Sequence, residues 1–138
     1  MTRRFEVLEH TADVGLRLTG DSPEEILEAA AEGLAELQGA WFPGEGQDVP
    51  LEVSAADLPG LLVRWIDEVL YLLESRDAVL GGVAVREVDG GRGVGAVRLA
   101  ARGDREPESM GIKAATLHRV RFERGADGAW SADVYLDV

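Results

Sequence analysis

From Leu58 to Leu73 the apolar residues Leu58, Leu61, Leu62, Trp65, Ile66, Val69, Leu70, Leu72 and Leu73 cover well over half the circumference of a helix. A helix so apolar needs cover on several sides, and the rest of the chain has to supply it. Asp57 is the expected N-cap, because that start puts Pro59 in the first turn, where its missing N–H costs little. A start at Ala55 would strand Pro59 in the interior. The chain has 138 residues, and at that size a fold buries roughly 68–70% of its unfolded surface, enough for one core without disulfides. With no cysteine present, Cys-ligated zinc, iron–sulfur clusters and thiol nucleophiles are excluded, and the composition fits a reducing compartment.

The elements around this helix follow from period and punctuation. Phe5 to Glu9 is β-prone, and Val14 to Thr19 alternates with period two, Val14, Leu16 and Leu18 facing inward. Ser22-Pro23-Glu24-Glu25 reads as N-cap, first-turn proline and capping-box glutamate, opening a helix whose stripe is Ile26, Ala30, Leu34 and Leu37. Residues 39–48 form a loop from which Trp41 and Phe42 fold back on the core. Val49, Leu51 and Val53 form a short strand that Pro50 marks as an edge. The expected remaining strands are Val79 to Val85, Val94 to Ala101, Leu117 to Glu123 and Trp130 to Leu136, joined pairwise by hairpins at Asp89-Gly90-Gly91 and at residues 125–128. Residues 103–113 show no period and are expected to be an exposed, mobile loop. The whole, residues 1–138, is a single α+β domain: a mostly antiparallel sheet with two helices packed on one side.

Charge narrows the function. With 26 acidic against 14 basic residues the net charge is −12, and such a field repels phosphate backbones, so RNA would be held by a partner rather than by this chain. The charged start lacks the apolar run of a signal peptide and no segment reaches the ~20 apolar residues of a membrane span; a cytoplasmic, soluble protein is expected. There is no P-loop lysine motif, nucleophile elbow, H-E-x-x-H or EF-hand spacing. Gly90-Gly91-Arg92-Gly93-Val94-Gly95 lies between two strands rather than opening a helix, so it reads as a turn and not a phosphate cradle.

The two ends of the chain carry the remaining chemistry. Asp13 precedes its strand on the phase opposite to Val14 and Leu16, while Asp133, Tyr135 and Asp137 share the phase opposite to Trp130, Ala132, Val134 and Leu136. If the two strands are antiparallel neighbours, Asp13 and Asp137 meet at one sheet edge beside the carboxylate of Val138. A bound cation, a shared proton or a wider separation could offset their repulsion, and an all-oxygen donor set suits Ca²⁺ or Mg²⁺. The plainer alternative is that Asp13 caps a turn and Asp137 is a solvated residue. His10 and His118 flank strands, Lys113 is the sole lysine, and Asp67 lies on the narrow polar face of the long helix, within reach of a partner or of Arg64.

Four segments taken in order, His10-Thr11-Ala12-Asp13-Val14-Gly15, Asp57 through Leu72 with Arg64-Trp65-Ile66-Asp67-Glu68, Ile112-Lys113-Ala114-Ala115-Thr116-Leu117-His118 and Val134-Tyr135-Leu136-Asp137-Val138, resemble the archease family over nearly the whole chain. Leu117 stands where that family usually has tyrosine, and Met110-Gly111-Ile112 lacks its acidic residue before the lysine. The resemblance implies a non-enzymatic activator of the GTP- and metal-dependent RtcB-type RNA ligase of tRNA splicing and RNA repair, promoting guanylylation of the ligase and its multiple turnover. It also implies a calcium site, with magnesium as the alternative cation, at Asp13 and Asp137 with the main chain or carboxylate of Val138. His10, Asp67, Lys113 and His118 are candidate partner contacts. Two rival readings are a chaperone-like interaction module with a structural metal, and a metal-dependent phosphoesterase. The second lacks a general base and a basic substrate clamp.

Overall fold

The alternating segments pair as their inward faces require, and the two helices cover those faces. The structure, a computed structural model, describes residues 3–9, 13–106 and 110–138. Its elements are β1 (Arg4–Glu9), β2 (Asp13–Gly20), α1 (Pro23–Leu37), β3 (Gln47–Ser54), α2 (Leu58–Ser75), β4 (Ala78–Asp89), β5 (Arg92–Ala101), β6 (Ala114–Arg124) and β7 (Trp130–Asp137). The strands divide into a four-stranded sheet, β1-β2-β7-β6, and a three-stranded sheet, β3-β5-β4, with antiparallel neighbours throughout. This is the expected α+β arrangement, its antiparallel strands split between two sheets rather than laid in one.

Both helix starts follow the sequence. The Glu25 N–H donates to Ser22 Oγ at 3.2 Å, and the Glu25 carboxylate accepts from Asp21, one residue before the cap, at 2.9 Å. In α2, Gly60 N–H donates to Asp57 Oδ1 at 2.9 Å. As its wide apolar surface requires, α2 is covered from two directions, packing on β6 of one sheet and on β3, β4 and β5 of the other, while α1 packs on β1, β2, β7 and β4. Trp65 is fully buried, and its indole N–H donates to the Leu27 carbonyl at 3.0 Å, tying the helices together. Each large apolar side chain enclosed in this way contributes on the order of 1.5–3 kcal/mol.

Helix carboxylates cap the exposed sheet edges. β4 borders the three-stranded sheet, and the N–H groups of Val85 and Val88 donate at 2.9 Å to Glu28 and Glu24 of α1. β6 borders the other sheet, and the Ala115 N–H donates to Asp67 Oδ1 of α2 at 2.7 Å. An unpaired strand edge is thereby closed without another strand.

Two expectations need correction. The loop at 103–113 is anchored in its described part: Ile112 is buried in the core, Arg105 sits 4.2 Å from the Phe42 ring centroid and bonds Glu45 at 2.5 Å, and Met110 N–H donates to the Leu37 carbonyl at 3.4 Å. A single apolar anchor has no period to betray it. The sixth strand starts at Ala114 rather than Leu117, and its register with β7 breaks between Thr116 and Arg121. Leu117, taken as the strand's first apolar residue, is 64% exposed on that bulge.

Candidate metal centre

The register of β2 on β7 sets Asp13 directly opposite Asp137, with Val14 opposite Leu136 and Gly15 opposite Tyr135. Val14 and Leu136 are buried, so Asp13 and Asp137 lie on the outer face of the sheet. The Asp137 carbonyl accepts from Lys113 N–H at 2.8 Å and is therefore directed toward β6. The N–H and C=O of one strand residue point the same way, so Asp13 and Asp137 form the non-hydrogen-bonded kind of pair, with Cα atoms about 4.5 Å apart and side chains at their closest. Asp13 is half-buried, while Asp137 and Val138 are exposed.

The surroundings show what this pair lacks. Four residues back along β7, Asp133 is flanked by its cross-strand partners Arg17 and Arg121. Arg17 Nε donates to Asp133 Oδ1 at 3.0 Å and Arg121 Nε to Oδ2 at 3.3 Å. Burial pushes the Asp133 carboxyl up, but the hydrogen bonds and charges of the two arginines outweigh it and leave the pKa lowered. Among the described residues no basic side chain pairs with Asp13 or Asp137. Two carboxylates about 4 Å apart repel by between ~1 kcal/mol in water and ~4 kcal/mol at an effective dielectric near 20. The donor set, two carboxylates and a main-chain oxygen of Val138, is all hard oxygen and fits Ca²⁺ or Mg²⁺, with water completing the shell. No group of three or more acidic or histidine side chains able to hold a metal occurs among the described residues, so the pair would rely on those main-chain and water oxygens.

The other candidate residues surround this point unequally. Lys113 is exposed and joined to Asp137 through the main chain. His118 is exposed on the β6 bulge, its N–H donating to Thr116 Oγ1 at 3.0 Å. Asp67 is half-buried and spends one oxygen on the Ala115 N–H; burial raises its pKa, opposed by that hydrogen bond and by Arg64. His10 lies outside the described residues. Beside the acidic pair, sequence reasoning missed a stacked arrangement. A Cβ on Gly15 would come within 2.8 Å of Tyr135 Cε1, so glycine makes room for the ring, and the Arg119 guanidinium sits 5.2 Å from the ring centroid. Arg119 has a left-handed φ of 63°, which no local pattern in the sequence signals.

Comparison with known proteins gives a uniform result. Residues 5–138 match the Archease protein family (MTH1598/TM1083). The chain is 34% identical over 142 residues to protein archease of Methanopyrus kandleri, covering 97% of this chain and 99% of that one. It is 35% identical over 147 residues to protein archease of Thermococcus gammatolerans, covering 99% of each. The solution structure of protein 1598 from Methanobacterium thermoautotrophicum superposes with a TM-score of 0.72 at 26% identity, over 97% of this chain and 98% of that one. A crystal structure of an archease from Thermotoga maritima, named a possible chaperone, shares the fold with a TM-score of 0.65 at 23% identity and 96% coverage of both chains.

Proposed function

We propose, from the premise that this chain belongs to the archease family, that it is an accessory protein of an RtcB-type RNA ligase, promoting guanylylation of the ligase and its repeated turnover. The observation that carries this reading is the Asp13–Asp137 register, which draws residues from near the two ends of the chain into one outward-facing oxygen site. Asp13 and Asp137 hold the cation, with the main chain of Val138, and present it on an exposed sheet face rather than in a closed cavity. A divalent cation held there supplies positive charge to phosphate oxygens. Lys113, fixed beside Asp137 by its own N–H, and His118 on the neighbouring bulge contact the ligase. The net charge of −12 favours a basic protein partner over RNA, which is touched indirectly if at all.

The test is a guanylylation assay with the cognate ligase, GTP and Mn²⁺, with wild type or the Asp13→Ala variant added. The variant should stay folded and lose the stimulation. Full stimulation by it would overturn this reading. The name possible chaperone carried by the Thermotoga maritima relative favours a second one, an interaction module whose metal is purely structural. Undiminished stimulation by a chelated, still-folded protein would select it.

A further inference from the structure

Segment 113–116 of the chain is a short stretch at the start of β6, at the Asp137 end of its sheet. It pairs with the Asp137 end of β7, Ala114 opposite Asp137 and Thr116 opposite Tyr135, and is then cut off from the rest of the β6–β7 ladder by the register break before Arg121. β6 is the sheet edge, so no further strand holds it from outside. Besides this pairing and the buried Ala115 side chain, it is held by Asp67 of the mostly buried helix α2, whose Oδ1 accepts the Ala115 N–H at 2.7 Å. The same short segment supplies the Lys113 N–H that holds the Asp137 carbonyl at 2.8 Å. A continuous route therefore runs from the α2 carboxylate, through one strand-edge amide, to the main chain of one member of the acidic pair.

We infer that Asp67 is a positioning residue: by fixing the Ala115 amide it locks segment 113–116 onto β7 and so sets the geometry of Asp137 and the presentation of Lys113. This rests on the reading of Asp13 and Asp137 as a cation site, and it makes Asp67 a support for that site rather than a contact with the partner. A carboxylate that only decorated the surface could be removed without consequence for the pair. One that orients a ligand through its backbone should affect cation affinity although it never touches the ion.

The experiment compares Asp67→Ala, which removes the acceptor, with Asp67→Asn, which keeps an acceptor oxygen and removes the charge. Amide exchange at Lys113 and Ala115 is followed in metal-free protein, and Ca²⁺ affinity is measured by calorimetry. Asp67→Ala should speed exchange at both amides and weaken Ca²⁺ binding by about 10- to 100-fold, and Asp67→Asn should restore both. Wild-type exchange and affinity in a folded Asp67→Ala protein would overturn the inference. So would equal loss in both variants, because charge rather than the hydrogen bond would then be responsible. Asp13→Ala, run alongside, separates the two claims. If it leaves Ca²⁺ binding intact, the cation site itself is misassigned, and exchange at Lys113 alone decides whether Asp67 positions the segment.

Discussion

Asp133 and Asp137 are four residues apart on one strand and share one face, yet their surroundings are opposite. Asp133 is clamped by Arg17 and Arg121, whereas Asp137 faces another carboxylate. The first is a structural arrangement with a pH signature. Because the folded Asp133 carboxyl titrates below its ordinary value of 3.8, its stabilisation is present above that value and lost as pH falls through the lower folded pKa. Asp133→Asn should therefore lower stability at pH 7 by about 1–3 kcal/mol. Urea midpoints of variant and wild type should converge as pH drops below 3.8. A gap persisting unchanged into strong acid would mean that packing, not charge, holds Asp133. The phase of both aspartates was legible from the alternation of residues 130–137, but the two arginine partners come from the flanking strands β2 and β6 and became visible only with the register.

At the scale of elements, the caps and hairpin turns were readable because their chemistry is local: Ser22 and Asp57 bond amides three residues on, and Gly90 and Gly128 adopt positive φ at the turns. The long-range caps were not. Glu24 and Glu28 sit one turn apart on α1 and look like ordinary solvated helix carboxylates, yet each closes an amide of the β4 edge. Glu24→Ala leaves the Val88 N–H without its acceptor and should cost about 1–3 kcal/mol, while Glu24→Gln should recover most of that. Denaturation midpoints together with exchange at Val88 would check it, and equal midpoints for Ala and Gln would exclude the cap as the cause. The β6 bulge escaped for a related reason. Leu117 and Val120 read as strand residues by composition, but the register break carries Leu117 out into solvent.

For the whole molecule, the candidate site was legible to an unusual extent because it depends on only one topological fact, the pairing of β2 with β7. The contacts next to it, Asp67 on the Ala115 N–H and Gly15 against Tyr135, depend on packing between elements and left no pattern to read. The excess of carboxylates has its own consequence at this scale. Every described ion pair uses an arginine as its cation, and twelve negative charges remain in excess. If the partner is the proposed ligase with a basic surface, association should therefore slow and weaken as salt shortens the screening length from about 10 Å at 0.1 M toward about 3 Å at 1 M. Binding kinetics across that range would show it, and a salt-independent rate would exclude electrostatic steering.

Calcium titration of the wild type by calorimetry, beside the single variants Asp13→Asn and Asp137→Asn, tests most directly whether the paired strand ends build a cation site. The expected result is one saturable site per chain that either substitution removes without unfolding the protein. Stoichiometric binding that survives both substitutions, or a wild type that takes up no calcium, would contradict it.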